Sequence, residues 1–62
     1  MIIKTRQRFA SKESGQQISI SKIHGREKTD KVTVVNVNYG KIDRRSYRAI
    51  QVDSVRRRYN AV

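Results

Sequence analysis

Hydrophobic residues along this chain fall in short alternating runs, mostly β-branched, separated by polar segments containing Gly, Asn, Asp or Ser. Alternation with a period of two is the pattern of half-buried β-strands, and the spacing predicts four of them. In the first, a strand over Ile3–Phe9 sends Ile3, Thr5, Gln7 and Phe9 to one face and Lys4, Arg6 and Arg8 to the other, making one face cationic. Ser11 to Gly15 is a turn in which Gly15 can take positive φ without steric cost. The second strand, Gln16–Ile23, sets Ile18 and Ile20 against Ser19 and Ser21, and the polar segment His24–Asp30 closes it with a loop. Lys31–Tyr39 is the most β-prone stretch, with Val32 and Val34 on one face and Val35, Val37 and Tyr39 on the other, and it is expected to be the central strand. Gly40–Arg45 supplies the next turn and Tyr47–Val52 the fourth strand.

The tail from Asp53 to Val62 supports two readings. As a helix it has Asp53 as N-cap and Val55, Tyr59 and Val62 on one face. As a strand it places Arg56 and Arg58 opposite Arg57 and Tyr59. The expected fold is therefore mainly β: a single domain over residues 1–62, built as an antiparallel meander of four to five strands. The alternative is a four-stranded sheet with a short C-terminal helix. With a fifth strand, the segment Val32–Tyr39, Gly40, Tyr47–Val52 and Asp53-Ser54-Val55 resembles the SH3-like small barrels of Tudor and KOW modules over about the last half of the chain. That resemblance implies a closed or strongly curled sheet. The absence of Trp and of a legible aromatic cage departs from the methyl-lysine readers of that group.

Composition bears first on stability. A 62-residue chain buries only about 60% of the surface its unfolded form exposes. Without Cys there is no disulfide or thiolate metal site, and one His does not build a zinc centre, so no metal or cofactor is expected. Homodimerisation is the remaining way to add buried area. No apolar run is long enough for a signal peptide or a membrane span, so a cytoplasmic location is expected.

Charge then indicates a partner. Fifteen Lys and Arg against five Asp and Glu give a formal net charge of +10. From Gly40 onward six Arg and one Lys face two Asp, a net of +5 in 23 residues, whereas the preceding 39 residues reach the same +5 with eight basic and three acidic residues. Such a surface concentrates polyanions, and the guanidinium fork matches phosphate oxygens and guanine edges. The expected function is a small nucleic-acid-binding regulatory protein, with DNA placed ahead of RNA, of the kind carried by phages and other mobile elements.

Its expected contacts are Arg48, Arg56, Arg57 and Arg58, supported by Arg44, Arg45, Lys4, Arg6 and Arg8, with Tyr59 as the exposed ring for base stacking. The Arg groups at 44–48 and 56–58 are expected to converge at one end or edge of the meander. Tyr39 and Tyr47 are assigned partly to the core, because a chain with one Phe and no Trp needs their area. Asn36 and Asn38 are taken as ordinary solvent-facing strand positions. His24, near Arg26 and Glu27, lacks the second acid, thiol or phosphate loop that catalysis requires, so no enzymatic activity is expected. The rival function is a protein-binding effector or inhibitor that docks its basic face on an acidic surface, with Val32–Tyr39 as an edge for strand addition.

Overall fold

A computed structural model describes residues 3–62. Over these residues the protein is mainly β, a single antiparallel sheet of six strands with one short helix: β1 (Arg8–Ser11), β2 (Gln17–Ile23), β3 (Lys31–Asn38), β4 (Lys41–Ile42), a 3-10 turn (Arg44–Ser46), β5 (Arg48–Gln51), α1 (Val52–Arg58) and β6 (Tyr59–Ala61). The strand order is β4-β3-β2-β1-β6, and β5 pairs with β3 beside β4. β3 is thus paired along both edges and is not the open docking edge expected of it; the outer strands are β4 and β5 on one side and β6 on the other.

Register explains the core. Phe9 lies opposite Ile18, and Ile20 opposite Val34, so these side chains share one face of the sheet. A register shift between Ile20 and Lys22 then inserts one extra residue, which places Ile23 opposite Val32 on that same face. Without that step, strict alternation would turn Ile23 outward. Ile3, Phe9, Ile18, Ile20, Val32, Val34, Val52 and Val55 form the buried cluster, with Ile23, Ile50 and Tyr59 packed against it. α1 covers this face with Val52 and Val55, the two buried residues of the helix. Its start is fixed by hydrogen bonds from the Val52 N–H to the Asp30 carbonyl (2.9 Å) and from the Asp53 N–H to the Lys28 carbonyl (3.2 Å).

Several sequence expectations are corrected. The first strand begins at Arg8, because Lys4–Gln7 is a turn in which the Gln7 N–H reaches the Lys4 carbonyl (3.1 Å) and Arg6 has φ 68°. Lys4, Arg6 and Arg8 therefore do not share a strand face. The tail is both helix and strand: Val55 is buried and Tyr59 half-buried, but Val62 is 71% exposed, because the chain leaves the helix at Tyr59 and pairs with β1. Gln51, not Asp53, occupies the N-cap position. The sheet is not closed into a barrel. The link between β5 and β6 is helical, so its backbone bonds are spent internally and no strand joins the two outer edges.

Tyr39 and Gly40 form the two-residue β3–β4 turn, with φ of 53° and 78°, the left-handed pair that a type I′ hairpin requires. Gly25 is constrained differently: a Cβ there would overlap the Asp30 carboxylate and come within 2.9 Å of the Asp30 Cβ. That carboxylate accepts the Glu27 N–H at 2.9 Å and so fixes the β2–β3 loop. Gly40→Ala, with open space around it, should lower stability by about 1–2 kcal/mol through backbone strain alone. Gly25→Ala should cost more, and thermal melts of the two variants should rank in that order. Phe9→Ala, which empties the centre of the core, should cost about 3–5 kcal/mol and leave little of the cooperative transition.

Candidate nucleic-acid interface

All fifteen Lys and Arg side chains are exposed. The three Asp residues are partly buried and engaged locally. Asp30 fixes the β2–β3 loop, Asp43 accepts the Arg45 N–H (3.1 Å) to cap the 3-10 turn, and Asp53 pairs with Arg57 (3.0 Å) one helical turn away. Three of five acidic groups are thus tied to nearby atoms while every cation faces solvent, which leaves a strongly positive outer field.

The two Arg groups do not converge on one edge of the strand order. Arg44 and Arg45 ride on the 3-10 turn that packs on β3, and Arg48 opens β5, all on the β4–β5 side. Arg56, Arg57 and Arg58 occupy the last turn of α1, leading into β6 on the other side. The cause is the path of α1, which carries the chain from β5 across the core face to β6.

Each group is positioned by definite contacts. Ser46 Oγ accepts the Asn36 N–H (2.8 Å) and donates to the Asp43 carbonyl (2.7 Å), pinning the 3-10 turn to β3. Arg48 Nη1 donates to Asn36 Oδ1 (3.0 Å) and to the Ser46 carbonyl (3.1 Å), so that one nitrogen of the guanidinium holds the group in place. Asn36, taken from the sequence as a plain surface position, is half-buried and orients Arg48. It follows Val32 and Val34 on the core face where the apolar inventory ends, and only the pairing of Val34 with Arg48 reveals the role. On the other side, the Lys12 N–H reaches the Arg58 carbonyl (2.9 Å). Lys12, Glu13, Arg57, Arg58, Ser11 and Tyr59 line a groove of about 540 Å³ there. Tyr59 is half-buried against the core and forms part of the groove wall, while Tyr39 and Tyr47 are the exposed rings.

Arg8 is exposed on β1 opposite Ser19, on the sheet face away from the core. Arg6 lines a groove of about 320 Å³ on the same side, and Lys4 is exposed on the preceding turn. Among the described residues no cluster of three His, Cys, Asp or Glu is placed to hold a metal, and no helix is long and apolar enough to cross a membrane. His24 Nε2 is 2.9 Å from Thr33 Oγ1, a contact that joins the loop to β3. Neither a protein-family model, nor a curated protein, nor a solved structure matches this chain.

The Ser46 contacts give a direct check on how the Arg44–Arg48 side is held. Ser46→Ala removes the acceptor of a part-buried N–H and should cost about 1–3 kcal/mol. It should also speed hydrogen exchange at the Asn36 amide selectively over amides of β1 and β6.

Proposed function

We propose that this chain is a small, non-enzymatic nucleic-acid-binding regulatory protein that holds its ligand through an Arg- and Lys-rich surface. One observation carries the proposal: all fifteen basic side chains face solvent, while the three Asp side chains are engaged in a loop, a cap and an intrahelical pair. Crowding like charges on a small domain destabilises it, and a phosphate backbone removes that repulsion by neutralising it. Arg44, Arg45 and Arg48 form one set of phosphate contacts and Arg56, Arg57 and Arg58 the other, on the two sides of the sheet. The orientation of Arg48 by Asn36 and the Ser46 carbonyl suits it to bidentate recognition, which needs a fixed guanidinium plane.

Salt dependence tests the mechanism. Neutralisation of about five phosphates gives a slope of about −4.5 in log K against log salt on duplex DNA, and about −3.5 on a single strand. Replacing Arg56, Arg57 and Arg58 together with Ala should make the slope shallower and weaken binding. Affinity independent of salt would sink the proposal, and partners that survive nuclease digestion in a pull-down would favour docking on an acidic protein instead.

A further inference from the structure

Two of the chain's four aromatic residues lie outside the core, although the core has a single Phe to work with. Tyr39 is 102% exposed and Tyr47 50%, and Ile42 between them in sequence is 52% exposed. Tyr39 also carries a left-handed backbone at the hairpin tip, where Asn or Gly would fit with less strain. A bulky ring placed there incurs steric cost and gains no burial in return.

These residues belong to the sheet face opposite the core. Ile42 pairs with Val37, and the row Arg8, Ser19, Val35 crosses β1, β2 and β3 on that face. Tyr47, Ile42 and Val35 line one side of the groove that Arg6 and Thr5 border. At the end of the same face, Val37, Gln17 and Tyr39 line a second groove of about 500 Å³ between the β1–β2 turn and the β3–β4 hairpin. Its polar wall is fixed, since the Gln16 Nε2 donates to the Gln17 and Val37 carbonyls and to Asn38 Oδ1. Among the described residues, the two non-glycine positions with positive φ, Arg6 and Tyr39, border these grooves. Arg8 stands two strand spacings, about 10 Å, from Val35 across this face.

We infer that the ligand is a single-stranded nucleic acid whose unpaired bases stack on Tyr39 and Tyr47 along this outer face, with Arg6 and Arg8 on its phosphates. The inference rests on the nucleic-acid reading above and supplies the strandedness of the ligand. Exposed rings on a face that also carries Arg6 and Arg8 suit unpaired bases, because every base has a π-face and the backbone remains available to Arg. A duplex buries its base faces and would leave both rings unused. The positive border complements a polyanion and disfavours a second copy of this chain, which also carries +10.

Fluorescence anisotropy with labelled oligonucleotides tests the inference: an unstructured DNA strand, an RNA strand of matching sequence, a duplex, and a strand of equal length made of abasic sites. The DNA and RNA arms separate the two sources of unpaired bases. Wild type should bind at least one base-bearing single strand about tenfold or more tighter than the abasic strand. Tyr39→Asn, which suits the turn and removes no packing, should keep or raise the melting temperature while erasing much of that preference. Tyr47→Ala should weaken single-strand binding by about tenfold, with Tyr47→Phe retaining it. Equal affinity for abasic and base-bearing strands, with both Tyr variants unchanged, would overturn stacking. If the Arg56, Arg57 and Arg58 variant still lost affinity in that case, the nucleic-acid reading would stand without it. No binding to any of the four probes would remove both.

Discussion

Along one edge β3 pairs with β2 from Ile23 to Gln17, and along the other it holds β4 and β5, so its eight residues anchor three neighbouring strands. β1 and β6 are attached outward from β2. This two-sided pairing requires a strand with apolar residues on both faces, and Val32, Val34, Val35 and Val37 provide it. Breaking β3 would release the 3-10 turn with Arg44 and Arg45, the start of α1, and both outer-face grooves together. Among the described residues one buried cluster forms the core, as expected of so small a domain.

The hydrophobic residues are divided between two tasks with unequal shares. One face collects Phe9 of β1, Ile18 and Ile20 of β2, Val32 and Val34 of β3 and Ile3 of the N-terminal segment, and closes them under Val52 and Val55 of α1. The other receives Val35 and Val37, which are buried, and beside them Ile42, Tyr47 and Tyr39, which are not. Charge follows a similar division. Cations remain in water, where their solvation is kept, and the Asp residues are drawn into short local contacts that shape loops and caps. The resulting molecule has a thin core and a surface that combines a positive field with two exposed rings.

Much of the β architecture was legible because alternation is a local property. The strands at Gln17–Ile23, Lys31–Asn38 and Arg48–Gln51 lie within the predicted runs, and the loop at His24–Asp30 follows its polar composition. The first strand was misplaced because Ile3 to Phe9 alternates as cleanly as any strand. A turn at Lys4–Gln7 satisfies the same apolar positions by swinging Ile3 into the core from another direction. The tail resisted assignment because it contains two elements within ten residues. Val52 and Val55 are spaced for a helix, while Tyr59 to Ala61 gains more from the open edge of β1 than from another helical turn.

By itself, then, the sequence determined the fold class, the two-faced character of Lys31–Asn38 and the positive charge that any partner must accommodate. These depend on residue identity and nearest-neighbour spacing, which no packing arrangement alters. Tertiary structure alone decided which residues stand together on the surface. It sent the Arg groups to opposite sides of the sheet because α1 crosses the core between them. It also placed Tyr47 in the groove beside Val35 and Tyr59 against the core, because β5 pairs with β3 and β6 with β1 across distant parts of the chain, while Tyr39 stands exposed at the tip of the local β3–β4 hairpin. Composition argues for burying Tyr39 and Tyr47 in so small a protein, yet both stand in solvent while Tyr59 packs on the core.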